Sequence, residues 1–352
     1  MSYFRSNVAS MTGYTPGEQP RGEKFIKLNT NENPYPCSPK VKVAIGRAVT
    51  QGLQKYPDPH ATAFRIRAGE VLGVDPDWIL CGNGSDDILT IVTRALVDSG
   101  DRVRFANPSY VLYQTLAAIQ GAQCDVVNFE ADWSLGEDFT RPCDKLRLAY
   151  LANPNSPSGT LLAPQRVAEL ADALPCPLLV DEAYVDFAET NCLALVAKNE
   201  QIMVSRSLSK SYALAGLRFG YLVAQPQLVA EFQKVKDSYN CDTLSIAGAT
   251  AAIDDEAWLA ETRARIVATR TRLAQAVREL GFTCPDSQAN FVWCTHASVP
   301  VEPLYRQLKA GGVLVRYMDY PDWGDGLRIS VGTDDQVDAC LGLLRDALGS
   351  ER

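Results

Sequence analysis

The stretch "SRSLSKSYALAGLRFG" (205–220) places one lysine, Lys210, among Ser205, Ser207, Ser209 and Ser211, with Arg218 eight residues on. A lysine that attacks carbonyl carbon must be partly deprotonated, which requires burial or cationic neighbours to lower its pKa. Hydroxyls at Ser207 and Ser209 suit the oxygens of an anion, and Arg218 can neutralise that anion bidentately. Taken alone, the run reads first as a solvated loop. Two other loops shift the balance. "VDEAY" (180–184) sets Asp181 at the end of an apolar run, with Tyr184 three residues later. A carboxylate is seldom left unpaired there, and a protonated ring nitrogen on a ligand would satisfy it; capping a turn is the commoner use. "GNGSDD" (82–87) puts Ser85 and Asp86 at a helix start, where free N–H groups and the dipole favour negative charge. The aspartates would favour that helix end without any ligand.

These loops need a scaffold that brings them together. Short apolar runs at 78–82, 123–129, 146–154, 177–184, 202–207 and 218–224 read as strands, with another in 101–110. Longer helical patterns at 41–53, 86–100, 111–121 and 164–174 alternate with them. Strands linked by crossover helices predict an α/β fold with a mostly parallel sheet covered by helices on both faces. Polar clusters follow five of the strands directly: "NGSDD", "NPSY", "NPNSPSG", "DEAY" and "SLSK". In such sheets ligands bind beyond the carboxyl ends of the strands, so all five loops are expected at one crevice. From about 228 the pattern turns long and helical through 256–280, and three apolar runs after it suit a smaller α+β domain. The expected division is an arm over 1–37, a large domain over 38–240 and a small domain over 241–352.

Composition excludes several classes. Of 352 residues, 46% are apolar and 22% charged, as in ordinary globular chains. A formal net charge of −8 argues against a general nucleic-acid binder, which needs clustered Lys and Arg. The ten cysteines form no C-x-x-C pair, and only two histidines exist, His60 and His296, neither at metal-ligand spacing. The expectation is reduced thiols, no metal, no membrane span and a cytoplasmic location.

In this order and spacing, the motifs resemble those of the fold-type I aminotransferases that use pyridoxal 5′-phosphate, and within them the histidinol-phosphate aminotransferase family. The marks, covering nearly the whole chain, are "YTPG" (14–17), "LNTNENPYP" (28–36), "YPDP" (56–59), "GNGSDD", "PSYVLY" (108–113), "NPNSPSG" (153–159), "DEAY", "SLSKSYALAGLRFGY" (207–221) and "LRISVGT" (327–333). The resemblance implies that Lys210 bonds the cofactor and shuttles protons, Asp181 pairs with its ring nitrogen, and Tyr184 donates to its phenolic oxygen. It implies Tyr110 stacked on the ring, and the phosphate among Ser207, Ser209, Arg218 and the amides at Ser85 and Asp86. Tyr56 would complete that corner from the partner subunit of a homodimer. Tyr14, Asn33, Arg316 and Arg328 would contact substrate, a small phosphorylated amine and glutamate or 2-oxoglutarate in turn.

One position departs from the family's Asn-Pro-Thr-Gly, because Ser156 stands where the asparagine is usual. Ser156 is expected to donate one hydrogen bond to the phenolic oxygen, directly or through water, with Asn155 as the alternative. Three rival readings stay open: an aromatic or other amino-acid aminotransferase, a threonine-phosphate decarboxylase, and a non-catalytic cofactor-binding regulator.

Overall fold

The computed structural model describes residues 3–11, 13, 17–19, 25–321 and 323–349. Eleven strands lie among them. Strand β1 (Ile26–Leu28) belongs to the arm. Strands β2 (Ile79–Gly82), β3 (Arg102–Asn107), β4 (Gln123–Asn128), β5 (Leu146–Ala152), β6 (Leu178–Asp181), β7 (Ile202–Ser207) and β8 (Gly220–Val223) build the large sheet, and β9 (Phe291–Cys294), β10 (Val313–Tyr320) and β11 (Gly324–Ser330) join β1 in the small one.

The large sheet has the order β2-β8-β7-β6-β5-β3-β4, and only β8 runs against its neighbours. Its central strands are unbroken apolar runs because both faces are covered. Alternation along β6 and β7 shares the side chains between two cores: Leu178, Val180, Ile202 and Val204 point one way, Leu179 and Met203 the other. Helix Ser85–Leu96 presses Ile88, Leu89, Ile91 and Val92 onto the second of these cores, while Asp86 and Asp87 in its first turn suit the dipole. It stops at Leu96 rather than at the expected Gly100. Val97 is extended, and the Asp98 amide is taken by the Asp101 carboxylate in a separate turn.

The small sheet runs β1-β10-β11-β9 and packs against helices Glu256–Glu279, Val301–Ala310 and Asp334–Gly349 through its own core. The helical stretch expected to run on from 228 is broken into Pro226–Phe232, Thr243–Ile253 and Glu256–Glu279, the second started by the Asp242 carboxylate accepting from the amides of Leu244 and Ser245 at 2.9 Å each. Ile246, Ala249, Ala252 and Ile253, beyond the division expected at 240/241, pack in the core of the large sheet. The arm is divided. Its β1 pairs with β10, whereas Arg5 and Asn7 donate to carbonyls of Ala118 and Ile119 in the large domain.

Candidate active site

A cleft of about 1180 Å³ lies at the carboxyl ends of the parallel strands, bounded on the far side by β10 and β11. Parallel registry explains why the chemistry gathers there. Asp181 ends β6 opposite Ser205 of β7, and Ala152 ends β5 opposite Asp181.

Lys210 lines the cleft, and its Nζ donates to the Thr30 carbonyl at 3.1 Å. Burial holds its ammonium down to about 8, helped by the Arg328 and Arg218 guanidiniums against the pull of the Glu32 and Asp86 carboxylates. A substantial neutral fraction therefore exists near physiological pH. Asp181 is 4% exposed and accepts from Tyr113 Oη at 2.9 Å and from Ser205 Oγ and the Ala183 amide at 3.2 Å. Burial still pushes its carboxyl up to about 6, because no cation pairs with it among the described residues. Tyr184 accepts from Asn31 Nδ2 at 3.0 Å, which leaves its own proton free to donate. Its ring stands edge-on to Phe291 and 5.9 Å from Lys210 Nζ.

An anion corner forms where helix Ser85–Leu96 begins. Among the described residues no side chain caps that helix start. Gly220 lets β8 approach closely, since a Cβ there would stand 2.5 Å from the Ser85 nitrogen. Arg218, held at φ 51°, reaches Ser209 Oγ at 3.4 Å and Asp86 Oδ2 at 3.2 Å. Ser207 and Ser209 are nearly buried beside it. Tyr110 borders the cleft and donates to Asp86 Oδ1 at 3.0 Å. Arg316 and Arg328 sit directly opposite each other on β10 and β11 and both line the cleft.

These groups fit pyridoxal 5′-phosphate on two observations. A buried carboxylate without a cationic partner can pair with a protonated ring nitrogen, and helix amides, two hydroxyls and a guanidinium can surround a phosphate.

Two expectations change. Asn33 stands behind the cleft wall, its Nδ2 donating to the carbonyls of Lys210 and Ser211 at 3.1 and 2.9 Å, so it braces the lysine loop instead of meeting substrate. Asn155 cannot move in for the missing asparagine, because its amide is tied to Pro108 O and Ser158 Oγ and accepts from Ser109 Oγ at 2.9 Å. Ser156 faces the cleft and accepts from Arg328 Nη1 at 3.0 Å, which leaves its own proton free to donate. Tyr56 is 80% exposed away from the cleft, stacked on Tyr239 with centroids 4.5 Å apart. Tyr14 lies outside the described residues.

The sequence reading passed over Tyr113 and Asn31. Tyr113 lies in the first turn of helix Leu112–Gln120, three residues after Tyr110, and its ring stands edge-on to that of Tyr110 with centroids 5.7 Å apart. Asn31 had no signal of its own among the asparagines of "LNTNENPYP". It takes φ 57°, and its backbone is stapled to the small domain by Ser330 Oγ at 2.8 Å and Asn290 Nδ2 at 2.9 Å.

The family model for aminotransferase class I and II matches residues 23–344. The chain belongs to this aminotransferase family. It is 53% identical over 348 residues to a histidinol-phosphate aminotransferase of Rhodopirellula baltica, covering 99% of this chain and 96% of that protein. It is 44% identical over 350 residues to histidinol-phosphate aminotransferase 1 of a Nostoc species, covering 99% of both. Among solved structures, the histidinol-phosphate aminotransferase of Sinorhizobium meliloti in complex with pyridoxal 5′-phosphate superposes with a TM-score of 0.92 at 25% identity, over 100% of this chain and 99% of that one. Thermus thermophilus aspartate aminotransferase shares the fold at 20% identity, with a TM-score of 0.81 over 99% of this chain and 100% of that one. The fold of this aminotransferase is thus fold type I, as the motifs implied.

Proposed function

We propose that this aminotransferase exchanges an amino group between histidinol phosphate and 2-oxoglutarate, or between imidazole acetol phosphate and glutamate, as a step of histidine synthesis. Pyridoxal 5′-phosphate is its cofactor. The observation that carries the reading is one cleft holding a half-buried lysine poised near neutrality, a buried acid lacking a cation among the described residues, and two arginines facing each other. When bound, the cofactor supplies an electron sink for charge that develops at the substrate's α-carbon.

The chain's own residues do the rest. Lys210 would hold the cofactor by its aldehyde, and its amine is the base placed to move the proton at the substrate's α-carbon. Asp181 keeps the ring nitrogen protonated, and Tyr113, Ser205 and the Ala183 amide keep Asp181 in place. Tyr184 donates to the phenolic oxygen, positioned by Asn31. Tyr110 covers the ring. Ser207, Ser209, Arg218 and the amides at Ser85 and Asp86 hold the phosphate. Arg316 and Arg328 take the substrate's anionic groups, and Ser156 orients Arg328. Steady-state rates with histidinol phosphate, phenylalanine and threonine phosphate test the substrate. The first is expected to dominate in kcat/KM, and negligible turnover of it would overturn the assignment.

The same reading includes a homodimer in the cytoplasm. The exposed Tyr56–Tyr239 stack, with exposed Leu53 close by, suits a face covered by a second copy, and ten unbridged cysteines suit a reducing compartment. Tyr56 would then reach the partner's phosphate corner. Sedimentation equilibrium is expected to give twice the 38.5 kDa chain mass, and a monomer at working concentration would contradict this arrangement.

A further inference from the structure

The face that β10 and β11 turn to the cleft is more elaborate than two arginines. Alternate residues of a strand share a face, so Arg316, Met318 and Tyr320 stand together on β10. On β11, Arg328 lies across from Arg316 and Gly326 across from Met318, while Trp293 of β9 lies beside Arg328. A Cβ on Gly326 would come within 2.4 Å of Trp293 Cζ2 and 2.6 Å of Cη2, so the indole occupies the space of the missing side chain. The indole in turn backs the Tyr320 ring, with centroids 6.0 Å apart and planes at 66°.

Supported in this way, the half-buried phenol of Tyr320 lines the cleft within the field of the Arg328 and Arg316 guanidiniums. Burial raises it to about 12 despite those two charges, so it keeps its proton at neutral pH. Among the described residues its hydroxyl donates only to the Met318 thioether, at 3.6 Å. A thioether is a weak acceptor, which leaves a donor on the cleft lining without a strong partner among the described residues.

We propose that Tyr320 is a specificity-determining residue whose hydroxyl donates to the substrate anion held by Arg316 and Arg328, and that it favours a phosphate monoester over a carboxylate. A bidentate guanidinium saturates the two oxygens of a carboxylate, whereas a phosphate monoester has a third terminal oxygen to accept from a further donor. The inference rests on the substrate reading above and adds a residue to it.

Tyr320→Phe keeps the ring against Trp293 and removes only the donor. With the holoenzyme, the ratio of kcat/KM for histidinol phosphate to kcat/KM for glutamate is expected to fall about tenfold or more, the effect of one hydrogen bond to a charged group. The Ki for inorganic phosphate is expected to rise by a similar factor. An unchanged ratio together with an unchanged Ki overturns the role of Tyr320, as does an equal loss for both substrates, which marks a structural defect. If the wild-type enzyme fails to turn over histidinol phosphate, the substrate reading falls, and the Ki for phosphate still decides whether Tyr320 recognises that anion.

Discussion

Lys210→Ala is expected to lower kcat by at least about a thousandfold, because it removes both the attacking amine and the group that moves the α-proton. The loss should appear in kcat more than in KM, since Arg316, Arg328 and the anion corner remain. The substitution should also leave the fold intact. The Nζ makes one hydrogen bond, to the Thr30 carbonyl, while Asn33 holds the loop through backbone carbonyls that alanine retains. Circular dichroism should therefore match the wild type. A pH dependence goes with this prediction. The neutral amine is the reactive form, so uptake of pyridoxal 5′-phosphate by the apoprotein should quicken with pH and level off above about 8. Retention of wild-type kcat by the alanine variant would exclude the role given to this lysine.

The second large effect is at Asp181. Removing its charge leaves a buried ring cation without its partner, which typically costs about 3–5 kcal/mol, or about 10² to 10⁴ in rate. Asp181→Asn should therefore be nearly inactive while still binding cofactor phosphate. The same group governs apoprotein stability in the opposite sense. Its folded pKa is raised from 3.8 to about 6, so folding favours the protonated acid. That stabilisation is full below about pH 4 and is lost as pH rises through about 6, a swing of about 3 kcal/mol from this one group. In urea unfolding of the apoprotein, the wild type should lose stability over that window, and Asp181→Asn should lack this component. If the two pH profiles coincide between 4 and 6, Asp181 is not the buried, unpaired acid described above. A cofactor with a protonated ring nitrogen supplies the missing cation, so the wild type should recover its loss on binding while the variant gains less.

Much of this organisation was legible in the sequence, for identifiable reasons. The polar loops after β2, β3, β5, β6 and β7 marked the crevice because a parallel sheet directs all its carboxyl ends the same way. Lys210, Asp181, Arg218 and Tyr184 stood out because each is a polar group next to an apolar run. Tertiary contacts decided what remained hidden. The sequence could not show that Asn31, and not Asn33, faces the cleft, because that depends on Ser330 and Asn290 from the other end of the chain. The fate of Ser156 was equally hidden. Its hydroxyl is claimed by Arg328, 172 residues away. Helix Thr243–Ile253 packs its apolar face into the core of the large sheet, and composition does not record which core receives such a helix.

Reduction of the pyridoxal 5′-phosphate-loaded protein with borohydride, followed by peptide mass mapping, tests the central claim most directly. The account predicts one stoichiometric adduct on the peptide containing Lys210. An adduct mapped to a different lysine, or none at all, would contradict it.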